Sequence, residues 1–545
     1  MIRRRGCRAY LAALAILVIG LAVPVYARVS AHHASGAGLV RRWNGIAIDA
    51  SGLDHTPVAP GEHRVFGEQL GPTRASRAMA IVHIAMFDSI NAIVGGYRSY
   101  TGIHPAPAAS MDAAIVQSAH GTLVALFPSQ TPKFDLLLAH DLNRVPPGPG
   151  NTKAKGIRLG KSAAAAILSL RTNDGSEIPD PHIKVDFLTS ILPGMWRQDP
   201  ISLAALALGA FWGDVRPFTL ASPDQFRVPD PPALKSPEYT TAYREVKAIG
   251  GDGIGTPTTR TDEQTMIGIF WAYDGTPSLC APPRLYNQIA VHIADQMHTS
   301  SDVVEFARLL ALTNVAMADA GIAIWESKYF FQFWRPITGI RESDLGTGPT
   351  GLGDGNSHTI GDPAWSPLGA PASNLTGPNF TPPFPAYPSG HAGFGGALFQ
   401  TLRNFYATDN IAFTFTSDEF NGVTKDHHGV VRPLAPRSFS SLSQAEDENG
   451  QSRIYLGIHW HFDYGASRMG QASEGGVVAA VSSREASNCS PEAEAVVVAE
   501  AGLWLHRSDW RHARPLESDC LSRTCTAGTR CRTAAVPGNP STEHR

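Results

Sequence analysis

The stretch SRIYLGIHWHFD, residues 452–463, carries an arginine, a histidine and an aspartate at spacings that suit an oxyanion site. We expect a helix here, in which Asp463 lies four residues after His459 on the same face and hydrogen-bonds its ring. Such a bond selects one histidine tautomer and leaves the other ring nitrogen basic, able to attack phosphorus or ligate a metal. Arg453 adds guanidinium donors suited to an oxyanion. Taken alone, the motif also fits a buried histidine satisfied by its aspartate.

Two cations occur together in KYFFQFWRP, residues 328–336. Lys328 and Arg335 are seven residues apart, which on a helix places both on one face about 10 Å apart along the axis. Cations among aromatic side chains normally require a counter-charge, so this stretch also indicates an anion site.

A helix N-terminus is predicted within FPAYPSGHAGFGG, residues 384–396, where a proline precedes Ser389, Gly390 and His391 and an apolar run follows. Backbone N–H groups at such an N-terminus, together with the Ser389 hydroxyl, bind anions. His391 lies just inside the helix, where it can transfer protons to a bound group.

In order, the three stretches read Lys-x6-Arg-Pro, Pro-Ser-Gly-His and Ser-Arg-x5-His-x3-Asp. This pattern resembles the three-part signature of the superfamily that joins vanadium-dependent haloperoxidases to type 2 phosphatidic acid phosphatases. The residues around each motif are most similar to the haloperoxidase branch. The resemblance implies a mainly α fold of helical bundles, with the active site in the C-terminal bundle and orthovanadate as cofactor.

The resemblance also implies a role for each motif residue. His391 would be the acid–base catalyst, Lys328 would polarise bound peroxide, and Asp463 would support His459. Asp274, in FWAYDGTPS, would pair with Arg453, although it also fits an aspartate that begins a turn after a helix. The implied vanadate site consists of the ligand His459 and the oxyanion-binding residues Lys328, Arg335, Ser389, Gly390 and Arg453.

The implied activity is oxidation of bromide, with chloride as a second candidate, by hydrogen peroxide, followed by halogenation of an organic acceptor. The same residues can run acid phosphatase chemistry, with His459 as nucleophile and His391 protonating the leaving group. The length of the chain favours the haloperoxidase. So do Trp325 and Phe384, which lie where the resemblance implies a halide wall, although core packing is the commoner role for both residue types.

Composition limits the alternatives further. The chain has 545 residues and a net charge of −3, so no basic excess points to nucleic acid.

Apolar residues three and four apart predict N-terminal helices, and no period-two run predicts a sheet. Oligomeric state is not predicted. The predicted helices cover residues 40–50, 71–96, 108–127 and 153–174. The predicted domains are an N-terminal helical domain (28–250), a C-terminal vanadate- or phosphate-binding domain (251–483) and a poorly ordered tail (484–545) with four cysteines, either disulfide-bonded or incidental.

Residues 1–27 have four arginines, then an apolar run, then Val25-Tyr26-Ala27, a pattern typical of a signal peptide. The apolar run is short for a membrane span. The sequence therefore predicts an exported protein, periplasmic or extracellular, whose mature form does not span a membrane.

The mature chain should begin at or near Arg28, because a small residue precedes that position as signal peptidase requires. N-terminal sequencing of the secreted protein tests this, and retention of Met1 would contradict it.

Overall fold

The computed structural model describes residues 36–466, so the predicted signal peptide, the tail and the tail cysteines lie outside the described residues. The described part of the chain forms twelve α-helices, one two-stranded antiparallel sheet and short 3₁₀ turns, which confirms the mainly α prediction. The α-helices are α1 (Gly36–Asp54), α2 (Gly71–Val94), α3 (Met111–Leu126), α4 (Thr131–Arg144), α5 (Thr152–Leu170), α6 (Pro237–Ile249), α7 (Asp262–Phe270), α8 (Pro282–Gln296), α9 (Val303–Phe331), α10 (Pro336–Arg341), α11 (Gly390–Tyr406) and α12 (Leu442–Tyr455). The strands are β1 (Phe413–Phe415) and β2 (Arg437–Phe439), and the 3₁₀ turns are Pro128–Gln130, Pro149–Asn151, Trp212–Asp214, Thr299–Ser301, Asp418–Phe420 and His461–Ala466.

Side chains that cap backbone N–H groups set where several helices begin. Thr261 and Gln264 form a reciprocal capping box at the start of α7. The Asp302 carboxylate accepts from two N–H groups in the first turn of α9. Proline occupies the first turn of α2, α6, α8 and α10. Backbone N–H groups in a first turn have no partner within the helix, so no helical hydrogen bond is lost there by proline.

Helix α9 is the centre of the fold and packs mainly against α2 and α11. Two glycines allow the close approach of α9 and α11. A β-carbon at Gly321 would lie 3.0 Å from the Phe394 ring, and one at Gly393 would overlap the Ile324 side chain. This contact brings the C-terminal half of α9 alongside the N-terminus of α11.

By length and hydropathy α2 and α9 could each span a membrane, but 89% and 94% of their apolar windows are buried inside the fold. Both are therefore core helices among the residues that the structure describes.

The four helices predicted in the N-terminal part are confirmed as α1, α2, α3 and α5, while α4 was not predicted. Helix α4 buries only Phe134 and Asp141, so its apolar face is too narrow to give a clear pattern. The main core combines side chains from both sides of residue 250, Trp43 and Phe87 with Phe399 among them. The division into domains 28–250 and 251–483 stays a prediction.

Candidate functional site

The three sequence motifs meet around the N-terminus of α11. Lys328 lies in the last turn of α9, Arg335 precedes α10, Ser389 caps α11, and His459 follows α12. All four side chains are almost fully buried. The Ser389 Oγ accepts from the Ala392 N–H at 3.4 Å, which leaves its own hydrogen to donate.

The expectation that Lys328 and Arg335 share one helix face is wrong. Helix α9 ends at Phe331, and Gln332 adopts a left-handed conformation (φ 48°) that turns the chain away. Arg335 then occupies the N-cap position of α10, with extended backbone as is usual before a proline. The two cations reach the same region from different elements.

The expectation that residues 453–463 form one helix is also wrong, although the predicted pair of His459 and Asp463 is present. Helix α12 ends at Tyr455, and Gly457 (φ 72°) packs so closely on Gly250 that a β-carbon there would lie 2.3 Å from its carbonyl oxygen. The Asp463 Oδ2 accepts from His459 Nδ1 at 2.7 Å and from the Trp460 N–H at 3.0 Å. A turn held by the carboxylate, not a helix, therefore joins the two residues.

The tautomer of His459 follows from its two partners. Its Nδ1 donates to Asp463, and its Nε2 accepts from Arg335 Nη1 at 2.9 Å, because a guanidinium can only donate. Burial lowers the pKa of His459 well below its usual value, and the nearby cations lower it further. His459 is therefore a neutral imidazole whose Nε2 lone pair accepts from Arg335, so Nε2 can ligate a metal only when that hydrogen bond opens.

Two buried guanidinium groups have donors left over. Arg453 Nη2 donates to both oxygens of Asp274, at 2.7 and 3.0 Å, which is the predicted ion pair. Asp274 lies in the turn beyond α7, and burial raises its pKa while Arg453 lowers it. Within residues 36–466, Arg453 Nε and Nη1 and Arg335 Nη2 are buried without a hydrogen-bond partner. Three such nitrogens around one histidine fit an oxyanion that accepts from them.

His391 has one nitrogen committed and one available. Its Nε2 lies 2.5 Å from the Ala272 carbonyl oxygen, so this nitrogen carries the hydrogen and Nδ1 carries the lone pair. Burial lowers the pKa of His391 well below its usual value, and Arg453 lowers it further. The His391 carbonyl oxygen accepts from Asn449 Nδ2 and from the Tyr286 hydroxyl, both at 2.9 Å.

Sequence reasoning missed these supports of His391. Asn449 precedes Arg453 by four residues on α12, a spacing that could have indicated a shared face. Tyr286 and the Ala272 carbonyl give no signal in the sequence, because only the folded chain brings them to His391.

Lys328 is bound to the protein more completely than expected. Its ammonium donates to the carbonyl oxygens of Pro385, Ala386 and Pro388 at 2.8, 3.0 and 2.5 Å. Burial lowers the pKa of Lys328, yet three carbonyl acceptors favour the ammonium, since a neutral amine has only two hydrogens. To reach an oxyanion, Lys328 must release one of these carbonyls.

A cavity of about 610 Å³ opens onto the site. Asp274, His391, Arg453 and His459 line one part of it, and Gly390 and the rings of Trp325 and Phe384 lie beside them. The two ring centres are 4.8 Å apart. Gly390 cannot carry a larger side chain without displacing Trp325, whose ring would lie 3.2 Å from its β-carbon.

The support that Asp463 gives to His459 can be tested directly. We expect Asp463→Asn to weaken vanadate binding by about tenfold to a hundredfold, because the charge that fixes the His459 tautomer is lost. Equilibrium dialysis with vanadium analysis measures the change. Asp186→Asn, at an exposed position, is the matched control, and equal affinity in both variants would contradict the role of Asp463.

A family profile for the second helical-bundle domain of vanadium chloroperoxidase (VCPO) matches residues 308–485, which include all three motifs. The chain is 31% identical over 508 residues to vanadium chloroperoxidase from Curvularia inaequalis, across 78% of this chain and 79% of that protein.

Solved structures agree on the fold. A bacterial vanadium-dependent iodoperoxidase superposes with a TM-score of 0.61 at 24% identity, covering 80% of this chain and 96% of that one. The apo form of a bacterial vanadium-dependent chloroperoxidase superposes with a TM-score of 0.54 at 16% identity, covering 75% and 94%. At these identities the solved structures show a shared fold. The similarity to the Curvularia inaequalis protein also shows the family, and this chain belongs to the vanadium-dependent haloperoxidase family.

Proposed function

We propose that this protein binds vanadate and uses hydrogen peroxide to oxidise bromide, and chloride as a second halide, to hypohalous acid. The observation that carries the proposal is that three buried guanidinium nitrogens at the site, two on Arg453 and one on Arg335, have no hydrogen-bond partner among the described residues. Overall, peroxide, halide and one proton give hypohalous acid and water, so the two electrons lost by the halide reduce the peroxide.

The donor set suits vanadate in charge and in atom type. Most of the side chains that would hold it are cationic or hydroxyl-bearing, and His459 supplies a neutral ring nitrogen, Nε2, beside Arg335. When bound, vanadate supplies Lewis-acid activation of peroxide without a change of oxidation state. The residues that would hold it are Lys328, Arg335, Ser389, Gly390, Arg453 and His459.

His391 is suited to proton transfer. Its Nε2–H is held by the Ala272 carbonyl, so Nδ1 is the nitrogen that can take up and return a proton. With its pKa lowered by burial, Nδ1 is unprotonated at neutral pH and can accept a proton from peroxide as it enters the site. Asp274, 3.9 Å from the ring, would stabilise the imidazolium that results.

Trp325 and Phe384 would form the halide wall. Phe384 covers the cations from one side, since its ring centre lies 5.1 Å from Lys328 Nζ and 5.1 Å from Arg335 Cζ. Such a wall excludes water and strengthens the field of the cations. Chloride, which is harder to oxidise than bromide, depends more on that field.

The two histidines separate cofactor binding from turnover. We expect His459→Ala to abolish vanadium loading, because it removes the ligand nitrogen. His391→Ala should keep vanadium but lose about 10²–10⁴-fold in turnover, the usual contribution of acid–base catalysis.

Vanadium content by elemental analysis and bromination of phenol red, with and without orthovanadate, measure the two effects. Wild-type protein that takes up vanadium but brominates nothing would overturn the proposed activity. Equal loss of vanadium in both variants would show that the two roles are wrongly assigned.

The halide wall can be tested at Phe384. We expect Phe384→His to lower chloride oxidation more than bromide oxidation at saturating vanadate, because an imidazole admits water next to Lys328. Steady-state kcat with each halide measures the ratio. An unchanged chloride-to-bromide ratio would remove Phe384 from the halide site.

A further inference from the structure

We infer that the cavity beside the site binds a neutral organic acceptor about the size of a substituted aromatic ring, held by apolar walls outside the charged end. The halogenation of that acceptor rests on the function proposed above, whereas its binding does not.

The cavity is much larger than peroxide and halide need. A water molecule takes up about 30 Å³ of the liquid, so a volume of about 610 Å³ is roughly twenty times larger. Cavities of this size in proteins normally hold small organic molecules. The excess volume therefore leaves room for a third, larger occupant.

The polarity of the walls defines the class of that occupant. Among the described residues that line the cavity, the charged side chains are Asp274 and Arg453, which pair with each other at the vanadate end. His55 also lines the cavity, but its Nδ1 donates to the Ser51 carbonyl and its Nε2 accepts from the Gly71 N–H. The remaining lining is mostly aliphatic, aromatic and proline side chains, including Leu70, Ile201, Leu206, Leu375, Phe380 and Phe394. No charged side chain in this remaining part of the described lining would neutralise a charged ligand, so a neutral apolar ligand is favoured.

Two loops form much of the walls, and a buried carboxylate joins them. Asp199 accepts from the backbone N–H groups of Ile201 and Ser202 in the first loop and from the Thr381 N–H in the second, each at 3.1 Å. A backbone bond of 3.0 Å from Leu208 to Pro383 links the same loops again. The cavity is thus formed before ligand binds, which reduces the entropy lost on binding.

An acceptor held in this cavity lies next to His391 and His459, where hypohalous acid would form. Its carbon–hydrogen bond would be replaced by a carbon–halogen bond, with the hydrogen leaving in the water released from hypohalous acid. The walls, and not only the reactivity of the free acid, would then determine which acceptor and which ring position are halogenated.

Calorimetric titration of the protein in saturating orthovanadate, without peroxide or halide, tests the binding with thymol, a neutral phenol, and with 4-hydroxybenzoate, an anionic one. The vanadate is present so that the carboxylate of the second phenol does not bind the buried guanidinium groups instead. We expect one thymol site and at least tenfold weaker binding of 4-hydroxybenzoate. Leu375→Asp should weaken thymol binding at least tenfold, because it places a charge in the apolar wall. Leu352→Asp, in the same long loop but exposed and outside the cavity, should bind thymol as the wild type does.

If Leu375→Asp fails to fold by circular dichroism, Ala205→Asp, an exposed lining position on the other loop, replaces it. Absence of thymol binding at millimolar concentration, equal affinity for the two phenols, or unchanged affinity in the lining variant would each overturn the inference.

Competition between the two phenols in the vanadate-loaded enzyme gives a second measurement. We expect the ratio of brominated thymol to brominated 4-hydroxybenzoate to exceed the ratio produced by hypobromous acid alone, and an equal ratio would overturn the inference. If the loaded protein oxidises no bromide while thymol still binds, the proposed activity fails and the binding site stands.

Discussion

The structure depends on an imbalance of buried charge. Three cations, Lys328, Arg335 and Arg453, are buried around two carboxylates, Asp274 and Asp463, while burial keeps both site histidines neutral. An uncompensated buried charge costs several kcal/mol. The two site carboxylates provide too little negative charge to balance three cations, so an anion bound between the guanidinium groups would stabilise the arrangement.

The same cations also hold the motifs together. Lys328 binds three carbonyls in the segment before Ser389, and Arg335 donates to the carbonyls of Phe384 and Ile458 at 3.0 and 2.9 Å. Lys328 and Arg335 thus satisfy buried carbonyl groups that no helix or sheet pairs. The side chains proposed to bind the oxyanion therefore also hold the surrounding loops in place, although the site residues themselves come from loops and helix ends.

The apolar cavity follows from the same charge arrangement. The electric field of buried cations is strong only where water is excluded, because water screens it. Trp325 and Phe384 provide that exclusion next to the cations, and the loops joined through Asp199 extend the apolar surface outward. The aromatic rings of Trp325 and Phe384, which exclude water beside the cations, are therefore continuous with the apolar lining of the cavity that we propose for an organic acceptor.

The sequence alone determined the helical class, four of the five helices before residue 172, and the side chains that converge, because apolar periodicity and motif spacing are local properties of the chain. The spacing also predicted the pair of His459 with Asp463, and the resemblance to a known family implied the pair of Arg453 with Asp274. Only the tertiary structure decided how they pair. The break at Gln332 and the close contact of Gly457 with Gly250 separate motif residues that helical spacing would place on one face. The bonds of Lys328 and His391 to carbonyl groups, and the bond that the Thr381 N–H donates to Asp199, join positions that are 57 to 182 residues apart. Backbone groups are the same in every residue, so contacts with them leave no trace in the sequence, and the folded chain is needed to reveal them.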